Sequence, residues 1–293
     1  MRKFIILLCL ILIVFISGCG EQVIQTGKVN DGVVIKRFSF DSSRIYERDS
    51  IGLNLELQNI GEVEATLESI RIYGGWNVDQ TDLTNKKLSP SIPEVNFEGE
   101  SRSVRRILNA PDVTAETTYS FSTRVVYKYE TKYTGTLRVA TNTYLETLPE
   151  DERNSLFESS GVVSSSLTGG PLSVIPMKGR NFIVSGDEET NPSIVFELSN
   201  VGSGYPSNSS TINQDTMYYV KIKSVYGLKN MDCDSYGSKS VRLSQGKNRL
   251  FNCSFEMTTP IVNKEDIIFT ITFDYYYYVD GTTSITIMPL PGD

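Results

Sequence analysis

Two long runs of alternating residues set the terms for this chain. Residues 119–139, YSFSTRVVYKYETKYTGTLRV, align without a gap on residues 267–287, IIFTITFDYYYYVDGTTSITI, at a spacing of 148. In the second run Phe269, Ile271, Phe273, Tyr275, Tyr277 and Val279 fall on one face, and Thr270, Thr272, Asp274, Tyr276, Tyr278 and Asp280 on the other. A period of two with one apolar face is a half-buried β-strand, and that face must be covered by a second layer. Asp280-Gly281 then reads as a hairpin, because glycine tolerates the positive φ of a tight turn.

The match between the runs is part of a duplication. Residues 53–61, LNLELQNIG, return as 194–202, IVFELSNVG, at a spacing of 141, with Leu53, Leu55 and Leu57 answering to Ile194, Phe196 and Leu198. Both strands end in an Asn-x-Gly turn. Gly99 in FEGES stands where Gly246 stands in LSQGKN. The spacing widens between these landmarks, so the second copy holds extra residues, and the polar stretch 203–216, SGYPSNSSTINQDT, is the natural place for them. The reading is one antiparallel β-sandwich at 29–141, a second at 171–289, and a tail at 290–293. The linker between them, 142–170, has a candidate short helix at PEDERNSLFESS, started by Pro149 and its acids, and a flexible stretch from Ser159 to Gly170.

The N-terminus supplies an address. Arg2 and Lys3 precede thirteen apolar residues, Phe4 to Ile16, which is the layout of an export signal. At about 1.5 Å per residue such a segment spans only ~20 Å of a ~30 Å hydrocarbon core. The step Ile16-Ser17-Gly18-Cys19 resembles the lipobox of prokaryotic lipoproteins. That resemblance implies a signal peptide at 1–18, lipid attachment at Cys19, a tether at 19–28, and a location on the cell membrane facing its extracytoplasmic side. A retained signal anchor and ordinary secretion are the alternatives, and both still export the body. Loss of residues 1–18 leaves 26 Lys+Arg against 35 Asp+Glu, a charge of −9.

Two cysteines remain once Cys9 and Cys19 are set aside. Cys233 and Cys253 would close a loop of twenty residues in an oxidising compartment, worth roughly 3 kcal/mol through loop entropy; two separately buried thiols are the alternative.

Composition narrows function by exclusion. The chain of 293 residues has no histidine, which removes imidazole bases and His-ligated metals. Its formal charge of −7 argues against nucleic acid as a partner. Asp232-Cys233-Asp234 looks like the opening of a calcium loop, but the twelfth position is Leu243 where a bidentate Glu is needed, so a turn beside the disulfide is the better reading. Ser244-Gln245-Gly246-Lys247 matches S-x-x-K, yet Gly246 sits at a repeated turn and not on a helix. No cofactor, metal or catalytic residue is expected. Candidate ligand contacts are Trp76 after Gly74-Gly75, and an exposed stripe of Tyr276 and Tyr278, since flat rings suit sugar faces or protein partners; covering the end of a core is the alternative role for Trp76. Asn208-Ser209-Ser210 is a candidate glycosylation sequon.

The order of landmarks resembles the immunoglobulin-like CARDB family of prokaryotic cell-surface modules. The resembling residues are Asn59-Ile60-Gly61-Glu62, the strand end at Ile72-Tyr73, the Gly99-Glu100-Ser101 turn and the late strand Phe121 to Tyr129, with Asn200-Val201-Gly202, Val225-Tyr226 and Gly246 in the second copy. Both copies continue into a further strand where that family tends to end. The resemblance implies an all-β chain of two tandem immunoglobulin-like antiparallel β-sandwich domains, without catalytic residues. The expected function is a non-catalytic structural or adhesive interaction protein of the cell envelope, its partner an envelope protein or glycan; the alternative is a surface lipoprotein that binds a carbohydrate or other small molecule.

Overall fold

The computed structural model describes residues 30–76, 85–158, 161–177, 183–185, 193–228, 230–234, 239–256 and 263–291, with backbone alone at 155–158, 183–185 and 234. Among the described residues strand makes up 63% and helix 6%, so the all-β class expected from the alternating runs holds.

The two alternating runs become the longest strands, β7 (Thr117–Thr141) and β17 (Lys264–Met288). They pair antiparallel with each other from Thr117↔Ile287 to Ala140↔Lys264 in unbroken register. Equivalent residues of the two copies lie 148 apart, and Lys128 pairs with Tyr276, its own equivalent. A pseudo-twofold axis therefore pierces the sheet at that pair and exchanges the copies. On the outer side of β7 lies β4 (Ala65–Gly74), then β5 (Lys86–Leu88); on the outer side of β17 lies β13 (Tyr219–Tyr226), then β15 (Ser240–Arg242).

Each copy adds a small sheet. In the first, β1 (Val33–Phe40), β3 (Ser50–Asn59) and β6 (Ser101–Asn109) run in the order β1-β3-β6. In the second, β9 (Leu172–Pro176), β11 (Ser193–Asn200) and β16 (Asn248–Ser254) repeat that order, and β14 (Asp232–Asp234) joins beyond β16. Both small sheets cover the odd-numbered face of the long strands. Phe40 meets Phe121 edge-on at 5.1 Å, and Phe196 meets Tyr133 at 5.5 Å and Phe269 at 6.1 Å. The sandwich layering expected of each copy is present, but one sheet and one contiguous apolar cluster run through both. Pairing β7 with β17 removes two long open edges at once, which is a physical reason for the copies to share a sheet.

Two local expectations are corrected. Asp280-Gly281 is no hairpin: β17 passes straight through it, and a Cβ at Gly281 would lie 3.1 Å from the Ile35 side chain, so the glycine makes room for the facing sheet. The linker holds the expected helix, α2 (Glu150–Glu158), preceded by α1 (Asn142–Thr147) with Thr141 as its cap. Of the stretch read as flexible, however, Val162–Leu167 forms β8, which lies antiparallel on β7 from Tyr133↔Leu167 to Leu137↔Val162. Its serines hide any apolar alternation, and its backbone closes the β7 edge. The polar insertion supplies β12 (Tyr205–Ser207), paired with β17 through Tyr205↔Tyr278 and Ser207↔Tyr276.

Candidate functional site

The repeated Asn-x-Gly turns build a joint at the pseudo-dyad. Asn59 donates from Nδ2 to the carbonyls of Val63 at 2.9 Å and Leu88 at 3.0 Å; Asn200 donates to those of Gly204 at 2.8 Å and Gly246 at 3.1 Å. The amides of Ile60 and Gly61 share the Gly32 carbonyl, as those of Val201 and Gly202 share that of Pro171. Gly99 and Gly246 have φ values of 92° and 71°, where a side chain would be strained, and the residues after them accept from the Asn59 and Asn200 amides.

A tyrosine stands over each turn. The Tyr129 hydroxyl accepts from the Val63 amide at 3.2 Å and donates to the Gly169 carbonyl at 2.8 Å, while that of Tyr277 donates to Asn200 Oδ1 at 2.8 Å. Tyr127 and Tyr275 complete a quartet about the axis: the Tyr127–Tyr129 ring distance of 6.1 Å matches 6.3 Å for Tyr275–Tyr277, and Tyr127–Tyr277 at 5.7 Å matches Tyr129–Tyr275 at 6.2 Å. Burial pushes all four phenols above their usual range, so they are neutral packing groups, and the hydroxyls of Tyr129, Tyr275 and Tyr277 also form hydrogen bonds. Each turn also clasps the start of the other copy. Glu62 accepts from the Gly169 amide at 2.7 Å, and Asp31 accepts from the Ser203 amide at 2.7 Å. The centre of the molecule is thus a joint filled by side chains.

The even-numbered face of the long sheet is different in kind. It is not covered by the small sheets, and it carries charges of both signs although the chain is acidic. Glu130 receives Lys223 at 2.6 Å and Lys132 at 3.2 Å, Lys128 faces Asp274 at 3.5 Å, and Arg124 makes two 2.7 Å bonds to Asp280. Arg138 holds Asp266 through bonds of 2.8 and 2.7 Å. Partial burial would raise the Glu130 carboxyl, but its two lysines outweigh that and hold it below the usual range; Arg138 does the same for Asp266. Tyr73 and Tyr226, paired with the dyad-related residues Ser122 and Thr270, stand on this face 47% and 67% exposed. Their repeated position at a strand end was legible; that both rings face solvent follows only from the register.

A cleft of about 430 Å³ opens where α1 and α2 meet the end of the β7/β17 ribbon, between Arg138, Tyr144, Asp151, Glu152 and Lys264. Its cations are engaged, Arg138 by Asp266 and Lys264 over the Tyr144 ring at 5.6 Å. It holds no nucleophile set against a base. Among the described residues no three His, Cys, Asp or Glu side chains group to hold a metal ion.

The residues singled out from sequence scatter. Cys19 lies outside the described residues. Cys233 and Cys253 are joined in a disulfide across β14 and β16, which places Asp232 and Asp234 in a strand and not in a calcium loop. Asn208 is exposed just after β12. Trp76 is half-buried, edge-on to Tyr119 at 5.1 Å and Phe121 at 5.0 Å, and so covers the end of the core. Tyr276 is half-buried and Tyr278 only 3% exposed, so the expected open stripe does not form. The inserted β12 brings Tyr205 to 5.8 Å from the Tyr278 ring, and Arg124 lies over it at 4.7 Å; burial pushes the Tyr278 phenol up to about 12. Trp76 on the covered side of the sheet and Tyr278 on the other cannot form one platform.

Comparison with known protein-family models and with curated proteins finds no match for this chain. No helix among the described residues is long and apolar enough to cross a membrane.

Proposed function

We infer that this chain is a non-catalytic interaction protein of the cell envelope, lipid-anchored through Cys19 and held on the extracytoplasmic side, with two tandem immunoglobulin-like units of CARDB type that share their central sheet. The observation that carries this reading is the broad even-numbered face of the long sheet, bearing the ion-pair ladder and the exposed Tyr73 and Tyr226. Such a face suits a protein partner that aligns its own charges with the ladder and buries the two rings, which offer large contact area at low entropic cost. The Cys233–Cys253 disulfide supports export to an oxidising compartment. The alternative, binding of a carbohydrate or other small molecule, has less support, because Tyr278 is covered and Trp76 lies on the opposite side of the sheet from Tyr276 and Tyr278.

Two measurements test the reading. Mass spectrometry of the membrane fraction is expected to find a mature chain beginning at lipid-modified Cys19; any other start removes the anchor. Affinity for purified envelope components, measured with Tyr73→Ser and Tyr226→Ser combined, is expected to fall about tenfold or more and to weaken with added salt, at unchanged thermal stability. Binding indifferent to both substitutions and to salt would remove the sheet face as the interaction surface.

A further inference from the structure

The two copies differ in the turn that carries the chain from the long sheet to the small one. Between the buried Leu88 and Gly99 stand ten residues; between the equivalent Leu243 and Gly246 stand two. The second copy shows that the crossing needs no more than a tight turn. In the first copy the extra residues are built into a fixed loop. The amides of Ile92 and Phe97 each bond to the other's carbonyl, at 2.8 and 3.1 Å, and Pro93–Val95 between them form a single 3₁₀ turn closed by the Asn96 amide on the Pro93 carbonyl. The loop is moored to the joint, because the Ser91 amide bonds to the Gly61 carbonyl at 2.8 Å and the Ser91 hydroxyl to that of Ile60 at 2.9 Å. Its apolar side chains nonetheless point outward: Ile92, Val95 and Phe97 are 44%, 69% and 42% exposed, and Glu94 and Glu98 are exposed between them. A loop held this firmly loses little entropy on docking and still has apolar area to bury.

The matching surface lies on the second copy. At the far end of β17, beside β2 (Arg44–Tyr46), the pairs Arg44–Glu116 and Arg124–Asp280 match one cation to one acid. Toward β13 and β15 the match fails. Lys221, Lys223 and Arg242 on those strands, and Lys128 and Lys132 on β7, are all exposed, and among the described residues of this half of the face they meet two acids, Glu130 and Asp274. Five cations against two acids make a basic patch on an acidic chain. Tyrosines bound it: Arg242 lies over the Tyr219 ring at 5.3 Å, and Tyr226 stands exposed at the other end of β13.

We propose that the loop from Ser89 to Gly99 docks on this basic half of the sheet face of a second copy of the chain. The proposal rests on the reading of that face as the interaction surface and names its partner. Glu94 and Glu98 answer the surplus cations, while Ile92, Val95 and Phe97 cover the tyrosine rings and the lysine stems. Because β5 belongs to the long sheet and β6 to the small one, the loop lies at the side of the molecule and not on the even-numbered face. Loop and patch are therefore different surfaces, and the contact is head-to-tail: each copy offers a loop to one neighbour and a patch to another. Copies anchored in one membrane plane would meet at raised effective concentration.

Sedimentation of the full chain in detergent tests this. The parent chain is expected to associate with a dissociation constant below about 1 mM and to loosen with added salt. Val95→Ser with Phe97→Ser, and separately Lys221→Glu with Arg242→Glu, are each expected to weaken association about tenfold or more, with thermal midpoints matching the parent's as the check on folding. Mixing the two variants decides the geometry. The first keeps a working patch and the second a working loop, so together they form a one-to-one pair that does not grow further. A parent chain that stays monomeric overturns the proposal, as does a mixture of folded variants that fails to pair. Association that survives the loop substitutions and is lost with the patch substitutions also overturns it, and assigns the face to a face-to-face pair. The broader reading fails separately: a monomeric chain whose binding to purified envelope components still falls with Tyr73→Ser and Tyr226→Ser keeps the face as an interaction surface and removes only the second copy.

Discussion

Asn59 and Asn200 each hold the carbonyl four residues on, Val63 and Gly204, and Tyr129 and Tyr277 stand over the two turns; among the described residues β14, its disulfide and β12 exist in the second copy alone. The shared features lie at the axis, where every group of one copy rests on the other copy, so a change on one side must also fit the far side. The private features lie at the periphery. There the first copy builds its small sheet from strands of 8, 10 and 9 residues, and the second has strands of 5, 8 and 7 in the same places with the three-residue β14 added. Shorter strands bury less and bond less, and the second copy is the one that carries a covalent staple.

The largest way to break this comparison is to cut the core in each copy. Phe196, fully buried against Tyr133, Phe251 and Phe269, is expected to cost about 4 kcal/mol as Phe196→Ala, and its equivalent Leu55 about 3 as Leu55→Ala. Because both sit in one apolar cluster over one sheet, calorimetry should show each substitution lowering a single transition. Two transitions, with only one displaced, would mean the copies fold as separate bodies and share a sheet without sharing stability.

A smaller effect separates the peripheries. Cys233→Ala with Cys253→Ala opens a loop of 20 residues and is expected to cost about 3 kcal/mol at most, since the loop-entropy term is the upper part of the gain. Hydrogen exchange should quicken in β14 and β16 and stay unchanged in β3 and β6. Uniform quickening would show that the staple acts on the whole molecule and not on the short-stranded copy.

The alternating runs, the turns at Asn59 and Asn200, the paired glycines and the disulfide were all legible in the sequence, because each is a local pattern with a local cause. Partnership between strands was not. Alternation in β7 states that one face is buried, but not whether its neighbour belongs to the same copy; only the self-equivalent pair Lys128 and Tyr276 reveals that. The same gap explains the errors at the candidate site. Tyr278 alternates outward as expected, yet the insertion returns over it, and Gly281 has the composition of a turn while serving as a space for Ile35. Trp76 follows two glycines as an exposed ring would, and what buries it is Phe121, 45 positions along the chain. Tyr73 and Tyr226 were visible as strand ends and became candidate contacts only once the register put them on the uncovered face.

The smallest expected effect tests whether the ion-pair ladder matters to the fold. At the spacing of 148, Thr118 and Thr286 occupy the positions equivalent to Asp266 and Arg138, so one end of the β7/β17 ribbon has a hydroxyl pair between the copies, 3.0 Å between oxygens, where the other end has a bidentate ion pair. Arg138 and Asp266 are 33% and 43% exposed, and solvent screening limits such a pair to less than about 1 kcal/mol. Its pH dependence has a definite sign. Hydrogen bonds from Arg138 hold the Asp266 carboxyl below its ordinary value near 4, so the pair stabilises above that pH and loses its contribution as pH falls through the lowered value. Denaturant titrations should therefore find Asp266→Asn less stable than the parent chain by the same small amount from neutral pH down to about 5, with the gap closing in stronger acid. Thr118→Val, at the equivalent pair, should give a difference independent of pH. If the Asp266→Asn gap persisted unchanged into acid, its cost would come from packing, and the charged face of the sheet would be free to serve a partner without any part in holding the two copies together.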